Sequence, residues 1–390
     1  MQADILSYFS ENTRRNNFRY IASPIRPQRN VINFPEYFSF IESPDEAIAT
    51  LTEIADAVSS DSNQTVYLNQ DDCILIDYGA EAVACIISKA GAVTNGLRFE
   101  GRYPNDPALA ETVIMSGIPK VLGVPHPRIS NVTPFQLHHG RANQETAYRS
   151  SEKERSTSHF VSYMQTCLRQ HGWRLNTEGM RYLGGLVSEV VGNAEDHAGR
   201  DDWWIGGYMR VPEDSNTGDC HIVIFNLGRT IYQSMQDIDE GSPVRRDIER
   251  LVNKHKKMSF FNPNYQEEQL WTLYALQQGV SRLREIAIDR GQGTADMIRF
   301  FQSLGKTSQD GVEPKMCVVS GSSFILFNED YEMRRERRNG EERSIIAFNS
   351  SNDLNQRPDK RNVRCLKRFF PGTLISLRFY FDRDHLDNLS

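Results

Sequence analysis

Cysteine is sparse in this chain and never closely spaced: Cys73, Cys85, Cys167, Cys220, Cys317 and Cys365 stand far apart, with no CxxC pair. That spacing argues against a disulfide framework or a thiolate zinc site and predicts reduced, structural thiols in a cytoplasmic protein. Long apolar runs are missing as well. No stretch approaches the length of a membrane span, and residues 1–30 lack the apolar core of a secretion signal, so no membrane partner is expected. Strong charge of one sign is also absent. With 45 Lys and Arg against 51 Asp and Glu, the formal net charge of −6 gives no global pull toward nucleic acid or an anionic surface, and nucleic acid is disfavoured as a partner. There is no internal repeat and no low-complexity tract. His138-His139 has no further ligands at metal spacing, so no zinc is assigned to it.

What is present is an ordinary globular composition, 39% hydrophobic and 25% charged, in 390 residues, which is room for two cores. Residues 1–30 are polar and basic and read as an arm. Residues 31–130 alternate short apolar runs with helical periods: helices are predicted at Glu46–Val58, Gly79–Ser88 and Leu109–Met115, with strands at Thr65–Leu68 and Gly96–Glu100. This alternation predicts a small α/β domain. Residues 131–158, poor in large apolar side chains from His138 onward, read as a linker. In residues 159–390, helices are predicted at Phe160–Gln170, Glu178–His197, Glu267–Ile288 and Met297–Leu304. Strands are predicted at Trp203–Val211, His221–Asn226, Cys317–Ser320, Ser323–Asn328, Ser344–Asn349 and Thr373–Tyr380. Strands and helices that do not strictly alternate predict an α+β sandwich whose mixed sheet is covered by helices on one face.

The most informative stretch is GGLVSEVVGNAEDHAG, residues 184–199. As a helix it places Glu189, Asn193 and His197 on one face and Leu183, Leu186, Val187, Val190 and Ala194 on an adjoining face fit for burial. A carboxylate and an amide on a rigid helix suit a metal–nucleotide complex with an activated nucleophile beside it. Three later pieces fit this. In IVIFNLGRTI an apolar strand runs into Asn226-Leu227-Gly228, where glycine lets a base lie close to the backbone. In DRGQGTADMI, Gly291 and Gly293 precede a helix that Thr294 can cap, and free N–H groups there favour phosphate, with Arg290 a candidate contact to the last phosphate. In FPGTLISLRFYF, Gly372-Thr373 enters a long final strand.

The order and spacing of these four pieces resemble the GHKL (Bergerat-fold) ATPases, which include gyrase B subunits, MutL-type repair proteins, sensor histidine kinases and anti-sigma-factor serine kinases. The resemblance spans roughly Asn176 to the end, apart from an insertion near 232–264 that corresponds to the ATP lid. It implies a Bergerat-fold mixed sheet, ATP and Mg2+ as ligands, Glu189 as general base and Asn193 as the magnesium ligand. Asn226, Gly228, Arg290, Gly291, Gly293, Thr294 and Thr373 are the implied nucleotide contacts. Two positions depart from the family pattern. Asn226 replaces the aspartate that accepts the adenine amino group, a change that removes the charge and weakens the bond about twofold. Because an amide can also donate, selection against guanine should fall. Thr230 replaces a glycine near the lid. Sensor histidine kinases usually carry Asn where Glu189 stands, so Glu189 favours hydrolysis or transfer to a hydroxyl.

TVYLNQDDCILIDYGAEAVACIISKA, residues 65–90, loosely resembles a STAS-type domain, with Tyr78 where anti-sigma antagonists carry a phosphorylatable serine. This implies a docking module rather than a self-substrate, with a generic α/β unit as the alternative. Other features have plainer readings. His197 and Asp196 can serve as hydrogen-bonding residues at a helix end. Lys254, Lys256 and Lys257 read as a solvated charge run. The basic segment Arg334–Arg343 reads as a hairpin with Asn339-Gly340 at its turn. Three functions stay open: a magnesium-dependent ATPase that switches its contacts with a protein partner, a serine/threonine kinase acting on a STAS-like protein, and a non-catalytic nucleotide sensor. A homodimer is also left open.

Overall fold

The computed structural model describes residue 5 and residues 30–59, 65–127, 130–141, 150–197, 202–213, 215–258, 267–277, 293–304, 313–338 and 341–382. The first unit is built from β1 (Asn30–Asn33), β2 (Tyr37–Phe38), α1 (Pro44–Ser59), β3 (Thr65–Asn69), β4 (Leu75–Ile76), α2 (Tyr78–Thr94), β5 (Arg98–Arg102), α3 (Pro107–Ser116) and α4 (Ile118–Val121). Strands β1, β3 and β5 pair in parallel in that order, and β2 pairs in parallel with β4. Helix α1 buries Ala47, Ile48, Leu51, Ile54, Ala55 and Val58, a stripe at helical spacing, and carries Asp45 and Glu46 in its first turn, where the helix dipole favours them. Asp77 caps α2: its carboxylate accepts from Ala80 N at 2.8 Å, Ser39 Oγ at 2.6 Å and Ile41 N at 3.0 Å.

The second unit holds β6 (Val132–Arg141), α5 (Ser150–Gln170), α6 (Thr177–His197), β7 (Asp202–Arg210), β8 (Thr217–Leu227), α7 (Ile231–Met235), α8 (Pro243–Met258), α9 (Glu267–Ala275), α10 (Gly293–Leu304), β9 (Lys315–Phe327), β10 (Arg334–Arg338), β11 (Glu341–Ile345) and β12 (Val363–Asp382). Five strands form one sheet in the order β6-β7-β8-β12-β9. Every pair in it is antiparallel, so the fold is mixed α/β but this sheet is not the mixed one expected. The parallel pairs all belong to the first unit.

Side chains alternate across these strands and so define two faces. Ile205, Ile224, Ile375 and Val318 point to one face, where they cluster with Phe160 and Met164 of α5, Leu183, Leu186, Val187 and Val190 of α6, and Ile298 and Phe301 of α10. Val223, Phe225, Leu374 and Val319 point to the other face and join Ile48, Leu51, Val83 and Ile87 of the first unit in a single cluster. Each such side chain contributes roughly 1.5–3 kcal/mol by leaving water. The sheet is therefore covered on both faces, not one, and the first unit supplies the second cover. Tyr78 shows how closely: its buried ring meets Tyr208 of β7 edge-on, with centroids 5.9 Å apart.

Other expectations give way for local reasons. The supposed linker supplies the whole of β6, and residues 150–158 open α5, while 142–149 lie outside the described residues. Their polarity belongs to an edge strand with one neighbour and to the solvent side of a helix. His139 illustrates this, stacking on Trp204 at 5.0 Å and bonding Asp202 at 2.9 Å. The two strands expected at 317–328 are one, β9, which passes through Gly321 at φ 60° where the ladder to β12 shifts register. Helix α9 stops at Ala275, well short of the expected end. Gln277 follows it and is tied down, its amide donating to Leu273 O at 2.7 Å and Ile346 O at 3.1 Å and accepting from Ile346 N at 2.9 Å. The polar insertion contains α7 and α8, whose Met235, Ile248 and Val252 pack with Leu270, Trp271 and Tyr274 of α9.

Candidate functional site

Helix α6 carries the proposed acid. Its buried stripe of Leu183, Leu186, Val187, Val190 and Val191 holds it against the sheet, and Glu189 stands half-buried beside that stripe. Asn193 lies four residues further along the same helix; its side chain and those of Asp196 and His197 are outside the described residues.

The strands supply a row of four residues across the same face. Trp203 pairs with Asn226, Asn226 with Thr373, and Thr373 with Ser320, one step beyond the row Ile205, Ile224, Ile375 and Val318. Strand alternation turns all four toward the α5–α6–α10 side. Asn226 is only 3% exposed, and its amide nitrogen Nδ2 has no hydrogen-bond partner among the described residues. Such a buried orphan donor costs about 1–3 kcal/mol until something accepts from it.

The backbone at this row is shaped by two glycines. Gly228 has φ 140° and donates its N–H to Pro371 O at 3.0 Å. Gly372 has φ 149° and passes so close to Asn226 that a Cβ there would collide with the Asn226 carbonyl group. Both glycines are therefore demanded by conformation or close approach. Ser320 joins the row to the next helix. Its hydroxyl lies 2.8 Å from Thr373 Oγ1 and accepts from Ile231 N at 2.8 Å. Thr230 is the N-cap of α7, accepting from Gln233 N at 3.1 Å while Gln233 Oε1 accepts from Thr230 N at 3.0 Å. The Thr230 side chain thus serves as a helix cap. Sequence reasoning found Asn226, Gly228 and Thr373 but missed Trp203 and Ser320. The strand register of Trp203 and the bulge beside Ser320 could not be read from local pattern.

Of the glycine-rich turn, Arg290, Gly291 and Gln292 lie outside the described residues. Helix α10 begins at Gly293, which places Thr294 inside the first turn and not at the cap. Two lysines of the insertion are engaged elsewhere: Lys254 Nζ donates to Asn355 Oδ1 at 3.1 Å and Lys256 pairs with Glu267 at 2.5 Å, while the side chain of Lys257 lies outside the described residues. The basic segment forms an antiparallel hairpin in which Arg337 stands in register with Glu342 and Glu336 with Arg343, while Arg334 and Arg335 stand opposite Ile345 and Ser344. Arg361 pairs with Asp359 at 2.8 Å, and Arg364 lies over the Phe324 ring at 4.6 Å.

A cavity of about 690 Å³ opens where β1, β3 and β5 end, lined in part by Glu36, Asp71, Asp72 and Asp106. Its charge is the wrong sign for a polyphosphate. Among the described residues no group of three His, Cys, Asp or Glu side chains is placed to hold a metal ion, and no helix is long and apolar enough to cross a membrane. All six cysteines are free thiols, and burial pushes Cys73 up to about 12. Comparison with known proteins finds no matching family model, no matching curated protein and no matching solved structure.

Proposed function

We propose that this protein binds a magnesium–ATP complex between α6 and the row Trp203–Asn226–Thr373–Ser320, hydrolyses it, and uses the α7–α8 segment to alter its contacts with a partner protein. The reading belongs to the GHKL class, with the antiparallel sheet and its α5–α6–α10 cover as the Bergerat-fold part and the first unit as a STAS-like docking module. One observation carries it: Asn226 presents a buried amide whose donor has no partner among the described residues, at a strand end beside Gly228 and Gly372. An amide matches a purine edge, accepting from a ring amino group through Oδ1 and donating to a ring nitrogen through Nδ2.

In this reading the residues divide the chemistry. Glu189 takes the proton of the attacking water as it adds to the terminal phosphorus, and the terminal phosphate leaves ADP. Asn193 would hold magnesium through its side-chain oxygen, and bound magnesium would supply charge to offset that of the phosphate oxygens. Thr294, in the first turn of α10, stands where the helix dipole favours phosphate. The protein partner is proposed to be a separate STAS-like protein.

The test uses the full chain with magnesium and ATP labelled on the terminal phosphate. Release of free labelled phosphate supports hydrolysis. Label on a hydroxyl of a STAS-like protein supports the kinase reading in its place, and bound but unchanged nucleotide supports a sensor. Absence of saturable ATP binding at millimolar concentration overturns all three.

A further inference from the structure

Two contacts fix how α5 and α6 run past each other. A Cβ placed on Gly184 would lie 3.5 Å from Val161 Cγ2, and one placed on Gly192 would lie 3.2 Å from Lys153 Cε. The two contacts are equally spaced along both helices and run in opposite directions, so the pair is antiparallel and in step. Ser156 and Thr157 then stand level with Glu189 and Ser188. Lys153 itself reaches across so that its ammonium occupies the space a side chain at 192 would need. This puts a cation against the backbone next to Asn193 and one turn beyond Glu189.

Helix capping does not account for the seat of that lysine. A helix-capping lysine sits at the last four carbonyls, which have no partner within the helix. Helix α6 continues to His197, so the carbonyl of Gly192 is already inside the ladder. Among the described residues no salt bridge to Lys153 is present, and the side chains of Glu195 and Asp196 on α6 lie outside the described residues. A second observation lies one turn along the same helix. Ser156, 4% exposed, and Thr157 both have buried hydroxyl oxygens without a hydrogen-bond partner among the described residues. Thus α5 offers a cation and two unsatisfied hydroxyls at the level where α6 offers Glu189 and Asn193. A lysine ammonium is a compact charge with three donors, suited to the non-bridging oxygens of a phosphate.

We infer that Lys153, seated on Gly192, is the cation that holds the terminal phosphate of the bound nucleotide; this rests on the nucleotide reading above. The lysine comes from the helix before the Glu189 helix and not from the insertion or the glycine-rich turn. It offsets the negative charge that Glu189 brings near the phosphates. This geometry needs glycine at 192, because any Cβ there displaces the ammonium.

Calorimetric titration of the full chain with magnesium–ATP and magnesium–ADP tests this, using the unmodified protein, Lys153→Met and Gly192→Ala. Lys153→Met should weaken ATP binding about 10- to 100-fold, the worth of a charged hydrogen bond, and leave ADP within about 3-fold. Gly192→Ala keeps the charge but moves it, and should show the same selective loss. Circular dichroism of each variant establishes that it folds; should Lys153→Met not fold, Gly192→Ala carries the test. An unchanged ATP affinity, or equal loss for both nucleotides, overturns the role of Lys153 while the nucleotide site stands. No binding of either nucleotide by the unmodified protein overturns the site and this role with it.

Discussion

The hydroxyls of Ser320 and Thr373 lie 2.8 Å apart on neighbouring strands, and Ser320 also accepts the N–H of Ile231 at 2.8 Å. One oxygen thus joins the floor of the candidate site to the first turn of α7. A ligand that shifts Thr373 acts on the same oxygen that anchors the insertion, which gives a physical route from site to insertion.

Ser320→Ala should destabilise the protein by about 1–3 kcal/mol, since it leaves the Ile231 N–H without its acceptor. Thr373→Val removes only one hydroxyl partner and should cost about 1 kcal/mol. Urea unfolding of the two variants compares them; equal small losses would show that Ser320 does not anchor α7.

Glu189→Ala should leave ATP affinity within about 3-fold and lower turnover by about 10²–10⁴, the usual range for a general base. Binding and phosphate release measured on the same preparation separate the two effects. Parallel loss of both would assign Glu189 to binding instead.

Asn226→Asp should raise the preference for ATP over GTP, by about 10-fold, because a carboxylate accepts from the adenine amino group but cannot donate to the guanine carbonyl. Competition binding with the two nucleotides reads the ratio. A ratio unmoved by the change would remove Asn226 from base recognition.

The pH dependence of stability should carry the mark of Glu81. This buried side chain sits on α2, and burial pushes its carboxyl up to about 7, against bonds from Ile118 N at 2.8 Å and Gln70 that favour the charged form. The folded protein therefore keeps a proton that the unfolded chain releases near 4.5. Stability tied to this group is complete below about pH 4.5 and is lost as the pH rises to about 7, after which the loss is constant. Glu81→Gln should flatten that slope and at pH 8 be more stable than the unmodified protein by up to about 3 kcal/mol. Melting temperatures from pH 4.5 to 8 check both the sign and the window.

Much of the site was legible locally. The stripe from Leu183 to Val190 announced α6 and placed Glu189 at its margin. The apolar run Ile222–Phe225 announced β8, and the glycines at 228 and 372 marked where its end and β12 approach each other. Less legible were features with no local period. Polar residues 138–141 read as linker because an edge strand has one neighbour and little to bury. Serines on both sides of Gly321 hid the continuity of β9. The early end of α9 depends on Gln277 meeting Ile346, a contact between distant parts of the chain.

Composition and periodicity by themselves determined most of the helices and strands and marked Glu189, Asn226, Gly228 and Thr373 as candidates, because hydrophobic spacing and glycine conformation act over a few residues. Tertiary structure alone decided that Trp203, Asn226, Thr373 and Ser320 share a row, that Lys153 settles on Gly192, and that the first unit covers the far face of the sheet. The reason is that strand order here does not follow chain order, and burial of both faces is satisfied only when units far apart in sequence close on one another.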